Sequence, residues 1–112
     1  MKVTDSHEWI DVDDKGVATV GVTDHAQKEL GDVVYVELPK VGALVKAGDA
    51  TAVLESTKAA VDVYVPASGE VVAVNHRLQD EPYLINVSAQ SEGWICRLRL
   101  TDPQELELLK DL

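Results

Sequence analysis

Valine-rich runs of four to seven residues, separated by glycine or proline, make up most of the chain. The clear ones are residues 17–22, 32–37, 50–55, 60–65, 70–74 and 94–100. The breaks fall at Pro39, Gly42, Gly48, Pro66-Ala67-Ser68-Gly69 and Gly93. β-Branched side chains are stiff at χ1 and pack well on a pleated surface, so the runs predict strands. In the last run Trp94, Cys96, Leu98 and Leu100 alternate with Ile95, Arg97 and Arg99, which sets Cys96 on the apolar side. Two stretches carry helix signals instead. Thr23-Asp24 can cap a helix over 24–30 whose third residue is Gln27, with Gly31 placed to end it. Asp102-Pro103-Gln104-Glu105 predicts a C-terminal helix, with a cap, a proline in the first position and a capping-box acid. Leu106, Leu108, Leu109 and Leu112 would form its apolar face. A short turn is expected around Glu81-Pro82, and Asp11, Asp13 and Asp14 read as a solvated hairpin turn leading to Lys15-Gly16.

The pattern also echoes itself. Val36, Pro39, Gly42 and Val45 recur as Val63, Pro66, Gly69 and Val72, each displaced by 27 residues. Two copies are too few for a solenoid but suit a pseudo-twofold sandwich of related hairpin units. The fold expected is mainly β: a flattened barrel or sandwich of two hairpin-rich sheets, with a short internal helix and a C-terminal one. Residues 1–112 carry no linker or low-complexity break and read as a single domain.

Charge narrows the function. Ten Lys+Arg against twenty Asp+Glu give a formal net charge of −10, which argues against nucleic acid and against an anionic membrane surface. No apolar run reaches the length of a membrane span, and the opening Met1-Lys2-Val3-Thr4-Asp5 lacks a signal-peptide core. One cysteine, Cys96, excludes an internal disulfide, and it reads as a buried, inert thiol. His7, His25 and His76 show no metal-ligand spacing, and Trp9 and Trp94 read as packing anchors. No phosphate loop or nucleophile–base pair is present. A small domain of this kind suits something that enzymes act on better than an enzyme.

The candidate chemistry lies at Ser56-Thr57-Lys58-Ala59, a small, polar centre between two valine-rich runs. The spacing predicts a hairpin whose tip presents Lys58 with little bulk on either side. Such a lysine offers a modifying enzyme a reachable amine on a rigid support. A solvated turn lysine would look the same, and the residues alone leave both readings open.

Glu55-Ser56-Thr57-Lys58-Ala59, then Asp62 and Pro66-Ala67-Ser68-Gly69-Glu70, resembles the lipoyl-attachment region of the glycine cleavage system H protein family. Ser6-His7-Glu8-Trp9 resembles its N-terminal signature. Val20 to Asp24, Ala26-Gln27, Leu30-Gly31-Asp32 and Val36 to Pro39 are similar to its central block. Asn86, Gly93-Trp94, Asp102-Pro103 and Glu105-Leu106 are similar to its C-terminal block. Four separated blocks in order make the resemblance specific. Three departures stand out: Ser88-Ala89-Gln90 replaces a Pro-Tyr-containing stretch, the tail stops at Leu112, and Glu29 stands where some members carry histidine. These differences are expected on the surface that meets partners.

The resemblance implies a lipoyl-domain-like, hammerhead fold and a carrier, not an enzyme. It implies lipoic acid in amide linkage on Lys58, with Glu55, Ser56 and Ala59 read by the attaching lipoate ligase or lipoyl transferase. It further implies Ser6, Glu8 and Asp62 as the shelter for the aminomethyl intermediate of glycine decarboxylation. The implied partners are a pyridoxal-phosphate glycine decarboxylase, an aminomethyltransferase and a dihydrolipoamide dehydrogenase, served by a monomer in the cytoplasm or in the mature mitochondrial form. An H-like lipoate-binding protein of another pathway, such as sulfur oxidation or a lipoyl relay, and an unmodified interaction domain stay open as alternatives. Biotin fits less well, because biotin-accepting lysines sit between methionines and the sole methionine is Met1. A 2-oxoacid dehydrogenase lipoyl domain would carry Asp where Thr57 stands.

Overall fold

The computed structural model describes all residues from Met1 to Leu112. In chain order the elements are β1 (Lys2–Val3), β2 (Glu8–Val12), β3 (Val17–Val22), α1 (Asp24–Leu30), β4 (Val33–Glu37), β5 (Leu44–Val45) and β6 (Ala50–Ser56). They continue with β7 (Ala60–Tyr64), β8 (Gly69–Val74), α2 (Arg77–Asp80), α3 (Leu84–Val87), β9 (Cys96–Leu100), a 3-10 turn (Pro103–Leu108) and β10 (Lys110–Asp111). One antiparallel sheet has the order β10-β1-β2-β3-β9-β8-β5, and the other has the order β4-β6-β7. No strand pairing joins the two, so the fold is a sandwich and not a closed barrel.

Inward residues of both sheets meet in one cluster of 18 buried residues, among them Ile10, Val20, Cys96 and Leu98 from the large sheet and Val36, Leu54 and Val63 from the small one. Each fully buried aliphatic contributes about 1.5–3 kcal/mol, so a core without phenylalanine suffices. Trp9 lies flat on Gly21, where a Cβ would stand only 2.7 Å from its ring, and its Nε1 donates to the Ala89 carbonyl at 3.1 Å. Cys96 is buried, and burial pushes its thiol up to about 12. We therefore expect the native thiol to react with a disulfide-exchange dye at least about a hundredfold more slowly than the thiol of the chain unfolded in guanidinium. Comparable rates would place Cys96 at the surface.

Several local readings hold in detail. Thr23 caps α1 by accepting from Ala26 N, and Gly31 ends it at φ 85°. The Asp13 carboxylate accepts from the backbone of Val17 and Lys15, which lowers its pKa, and Gly16 completes the hairpin at φ 81°. The echo is structural: β5 pairs with β8, setting Val45 opposite Gly69, and Gly42 N donates to Val71 O at 2.7 Å. The two glycines nevertheless differ. Gly42 has φ 95°, whereas Gly69 opens strand β8 and has no positive φ.

The C-terminal helix does not form as an α-helix. Residues Pro103–Leu108 make a 3-10 turn, and the chain then pairs with β1 as β10. Glu105, expected to close a capping box, instead accepts from Ser68 N and Ser68 Oγ at 2.8 and 2.9 Å. Leu106 and Leu109 pack on the core, but Leu108 is 86% and Leu112 54% exposed. With its capping acid committed to the β7–β8 connection, the segment winds only as far as that bond permits. Two further helices, α2 and α3, flank Glu81-Pro82 where only a turn is expected. Ile95, assigned to the polar side of its strand, is 1% exposed, because the chain enters the core before β9 begins.

Candidate functional site

β6 and β7 form the hairpin read from the sequence, with Thr57, Lys58 and Ala59 exposed at its tip. Ser56 holds the turn. Its N–H donates to Ala59 O at 2.7 Å, and its Oγ accepts from Lys58 N and Ala59 N at 3.1 and 3.0 Å. Thr57 N donates to Asp32 O at 3.1 Å, which fastens the tip to the segment after α1. Glu55 is exposed on β6, opposite Tyr35 and Ala60. It carries no ion pair.

Beside the tip lies a cleft of about 340 Å3. Its wall joins Lys58, Ala59 and Asp62 of the hairpin to Ser6, His7 and Glu8 of the N-terminal segment and to Ala26, Glu29 and Leu30 of α1. Val22, Leu54, Val61 and Val63 supply an apolar floor. The structure thus gathers Lys58, Ser6, Glu8, Asp62 and Ala59 around one cleft, although up to 56 positions separate them (Ser6 to Asp62). Glu55 and Ser56 stand behind the tip, outside this wall.

Glu8 is no surface acid, being only 3% exposed. Its Oε1 accepts from Thr4 Oγ1 and from Ser6 Oγ (2.6 Å), and its Oε2 accepts from Tyr64 N at 3.3 Å. All three partners are donors, which suits an acceptor-only carboxylate. The last bond caps a backbone N–H on β7, an outer strand of the small sheet, so Glu8 ties the N-terminal segment to the hairpin. Asp62 is exposed and carries neither a side-chain hydrogen bond nor an ion pair.

His7 has φ 70°, unusual for a residue with a side chain. Its N–H donates to Thr4 O at 3.1 Å, and its carbonyl accepts from Thr23 N at 2.9 Å. This forced bend turns Ser6 and Glu8 toward the cleft. The His7 ring stacks on His25 with centroids 4.3 Å apart, and His25 Nε2 lies 3.0 Å from Glu29 Oε1. Sequence reasoning missed the stack, since a periodicity does not report which loops meet. It also missed Thr4, although Thr4-Asp5-Ser6-His7-Glu8 alternates hydroxyls and an acid at every second position.

The atypical 88–90 segment is structural in large part. Ala89 is buried and accepts the Trp9 bond, and Gln90 Oε1 accepts from Asp24 N at 2.9 Å at the start of α1. Gln90 is exposed, whereas Ala89 is buried and offers no surface to a partner.

Chemically, the site offers one exposed primary amine, a hydrocarbon-floored cleft next to it, and carboxylates where a cationic group could be received. Comparisons with known proteins agree over the whole length. The family model described as "Glycine cleavage H-protein" matches residues 1–112. A glycine cleavage system H protein of Thermotoga maritima is 54% identical over 110 residues, covering 98% of this chain and 88% of that one. One of Rhodospirillum rubrum is 51% identical over 108 residues, covering 96% and 86%. The crystal structure of a glycine cleavage system H protein from Mycobacterium marinum superposes with a TM-score of 0.85 at 39% identity, covering 89% of this chain and 83% of that one. A match from end to end, relatives at half identity and a shared fold give one conclusion: the chain belongs to the glycine cleavage H-protein family.

Proposed function

We propose that the protein is a lipoyl carrier, with lipoic acid in amide linkage to Lys58 Nζ. The arm so formed serves a pyridoxal-phosphate glycine decarboxylase, an aminomethyltransferase and a dihydrolipoamide dehydrogenase in turn. A lipoate ligase or lipoyl transferase attaches the group, and the protein is their shared substrate rather than an enzyme. The observation that carries this reading is the placement of an exposed Lys58 on a pinned tip at the rim of a cleft that also holds Ser6, Glu8 and Asp62.

The residues fit the group. Thr57 and Ala59 leave the amine accessible, and the floor of Val22, Leu54 and Val61 suits an alkyl chain. When bound, lipoic acid supplies a cyclic disulfide that opens to take up a one-carbon load and two electrons. The chain's own residues hold, shelter and present. Ser56 fixes the direction of Lys58. Glu8, held by Thr4, Ser6 and Tyr64, and the unpaired Asp62 set a negative potential in the cleft that favours a cationic amine. Glu55, Ser56 and Ala59 form the surface that the attaching enzyme reads. The formal charge of −10 steers the carrier to basic docking surfaces and lets it leave them.

The test is intact mass after incubation with lipoate, ATP and a lipoate ligase, followed by reconstitution with the three glycine cleavage enzymes. One lipoyl adduct on the Lys58 peptide and adduct-dependent glycine turnover are expected. No adduct refutes the carrier, and an adduct without turnover points to another lipoate-using pathway. The shelter is tested separately. The double variant Glu8→Gln with Asp62→Asn still accepts lipoate. Once the arm carries its amine load, it releases formaldehyde about tenfold faster than wild type in the absence of the transferase, the change that one charge-assisted hydrogen bond represents. Equal rates remove both residues from the mechanism.

A further inference from the structure

The Lys58 side chain does not stand free at its tip. It lies back over the corner between α1 and β4. Nζ donates to the Glu29 carbonyl at 3.3 Å, and Cε lies so close to Gly31 that a Cβ there would stand 2.8 Å from it. The φ of 85° at Gly31 suits glycine, and the space beside its Cα is taken by the flexible end of the lysine stem, which a Cβ there would displace. The corner is itself fastened. Asn86 Nδ2 donates to Gly31 O at 2.9 Å and to Gln27 Oε1 at 3.0 Å, and Asn86 Oδ1 accepts from Val33 N at 2.8 Å. The tip is clamped to the same corner through Thr57 N and Asp32 O.

We propose that this corner, the Glu29 carbonyl and the bare Gly31, is a seat for the Lys58 stem that survives acylation and makes Nζ, not Cα, the pivot of the carried arm. The inference rests on the reading of Lys58 as the attachment site and goes beyond it. Acylation forms one N–C bond. One hydrogen of the ammonium leaves with the acyl leaving group and one is released as a proton, so the amide keeps a single N–H. That N–H is the donor the Glu29 carbonyl needs. The carbonyl is a main-chain group, so the bond depends neither on the lysine charge nor on the Glu29 carboxylate, which is engaged with His25. A seated stem removes the lysine's flexible four-carbon chain from the swing. The arm then starts at the rim, beside Leu30 and Ala26, and its short excursions lead into the cleft. Asn86 acts as a positioning residue, holding the seat from the far side of the corner.

The test uses lipoylated full-length protein labelled with 13C and 15N on lysine, its single adduct established by mass. A cross-relaxation peak is expected between Lys58 Hε and Gly31 Hα. The side-chain amide N–H should exchange about fivefold more slowly than the same lipoyl-lysine in a free peptide of residues 54–63, the shift that one net hydrogen bond supplies. Glu29→Gln keeps both signals, because the acceptor is main-chain. Asn86→Ala loses the protection while its mass still shows the adduct. No cross-peak together with exchange within twofold of the peptide, in protein bearing the adduct, overturns the seat. Protection lost in Glu29→Gln overturns it as well, by moving the contact to the carboxylate. Protein with no adduct on Lys58 refutes the carrier reading and with it the seat of an acylated stem, and the cross-peak in the unmodified chain then reports only whether the free lysine lies on Gly31.

Discussion

Lys58→Arg folds as the wild type does and takes up no lipoate, a complete loss of modification. Arginine keeps the positive charge, but its guanidinium stays protonated and does not form the amide. The fold is indifferent to the change, because Lys58 is exposed and belongs to no ion pair, and substitutions at such positions cost within about 0.5 kcal/mol. None of the remaining lysines offers a substitute. Lys2, Lys28 and Lys110 are engaged with Asp111, Asp24 and Asp5, and Lys15, Lys40 and Lys46 lack a hairpin tip pinned by a residue like Ser56. Peptide mass spectrometry of the variant after exposure to lipoate, ATP and ligase is the check. A lipoyl group on Lys28 or any other lysine would sink the assignment of Lys58 as the sole site.

Gly69→Val destabilises the protein by about 2–3 kcal/mol. The sequence suggests a turn glycine at this position, in which case the cost would be backbone strain. The structure supplies a different cause. A Cβ at Gly69 would stand 2.4 Å from the Arg99 carbonyl oxygen, 3.1 Å from its carbon and 3.3 Å from Leu100 Cα. These are backbone atoms of the neighbouring strand β9, and they cannot rotate away as a side chain would. Relief requires β8 and β9 to separate at the Gly69–Leu100 end of a pairing that runs on to Val74–Cys96, where β8 is also held by β5 through Val45. A shift of this size lowers Tm by about 10 °C or more in a domain of this length. Gly69→Ala suffers the same collision, whereas Gly42→Ala, with nothing within 4 Å of its Cβ, pays only for its φ of 95°. Equal thermal melting of Gly69→Val and wild type would refute the close approach.

Local signals were legible where a few neighbouring residues decide the outcome. Valine-rich runs between Gly and Pro breaks specified most of the strands, Thr23 and Gly31 the ends of α1, Asp13 and Gly16 the first hairpin, and the small residues around Lys58 the exposed tip. Each of these depends on side-chain stiffness, a cap or a turn within a short window. The C-terminal helix signal was just as strong locally and was overridden, because the Glu105 carboxylate accepts from Ser68, 37 positions away, and not from its own turn. The need for glycine at position 69 is hidden in the same way, since the strand that excludes a side chain there lies 30 positions on (Arg99).

For the site, the sequence by itself determined the exposed lysine on its hairpin tip and the family resemblance that drew attention to Ser6, Glu8 and Asp62. Only the tertiary structure made Glu8 a buried carboxylate, stacked His7 on His25, and laid the Lys58 stem across Gly31. The physical reason is that burial, hydrogen-bond partnership and close approach are properties of pairs of residues distant along the chain. Periodicity and capping report how each segment folds; which segments then share a cleft is settled by the packing of two sheets and three short helices around a common core.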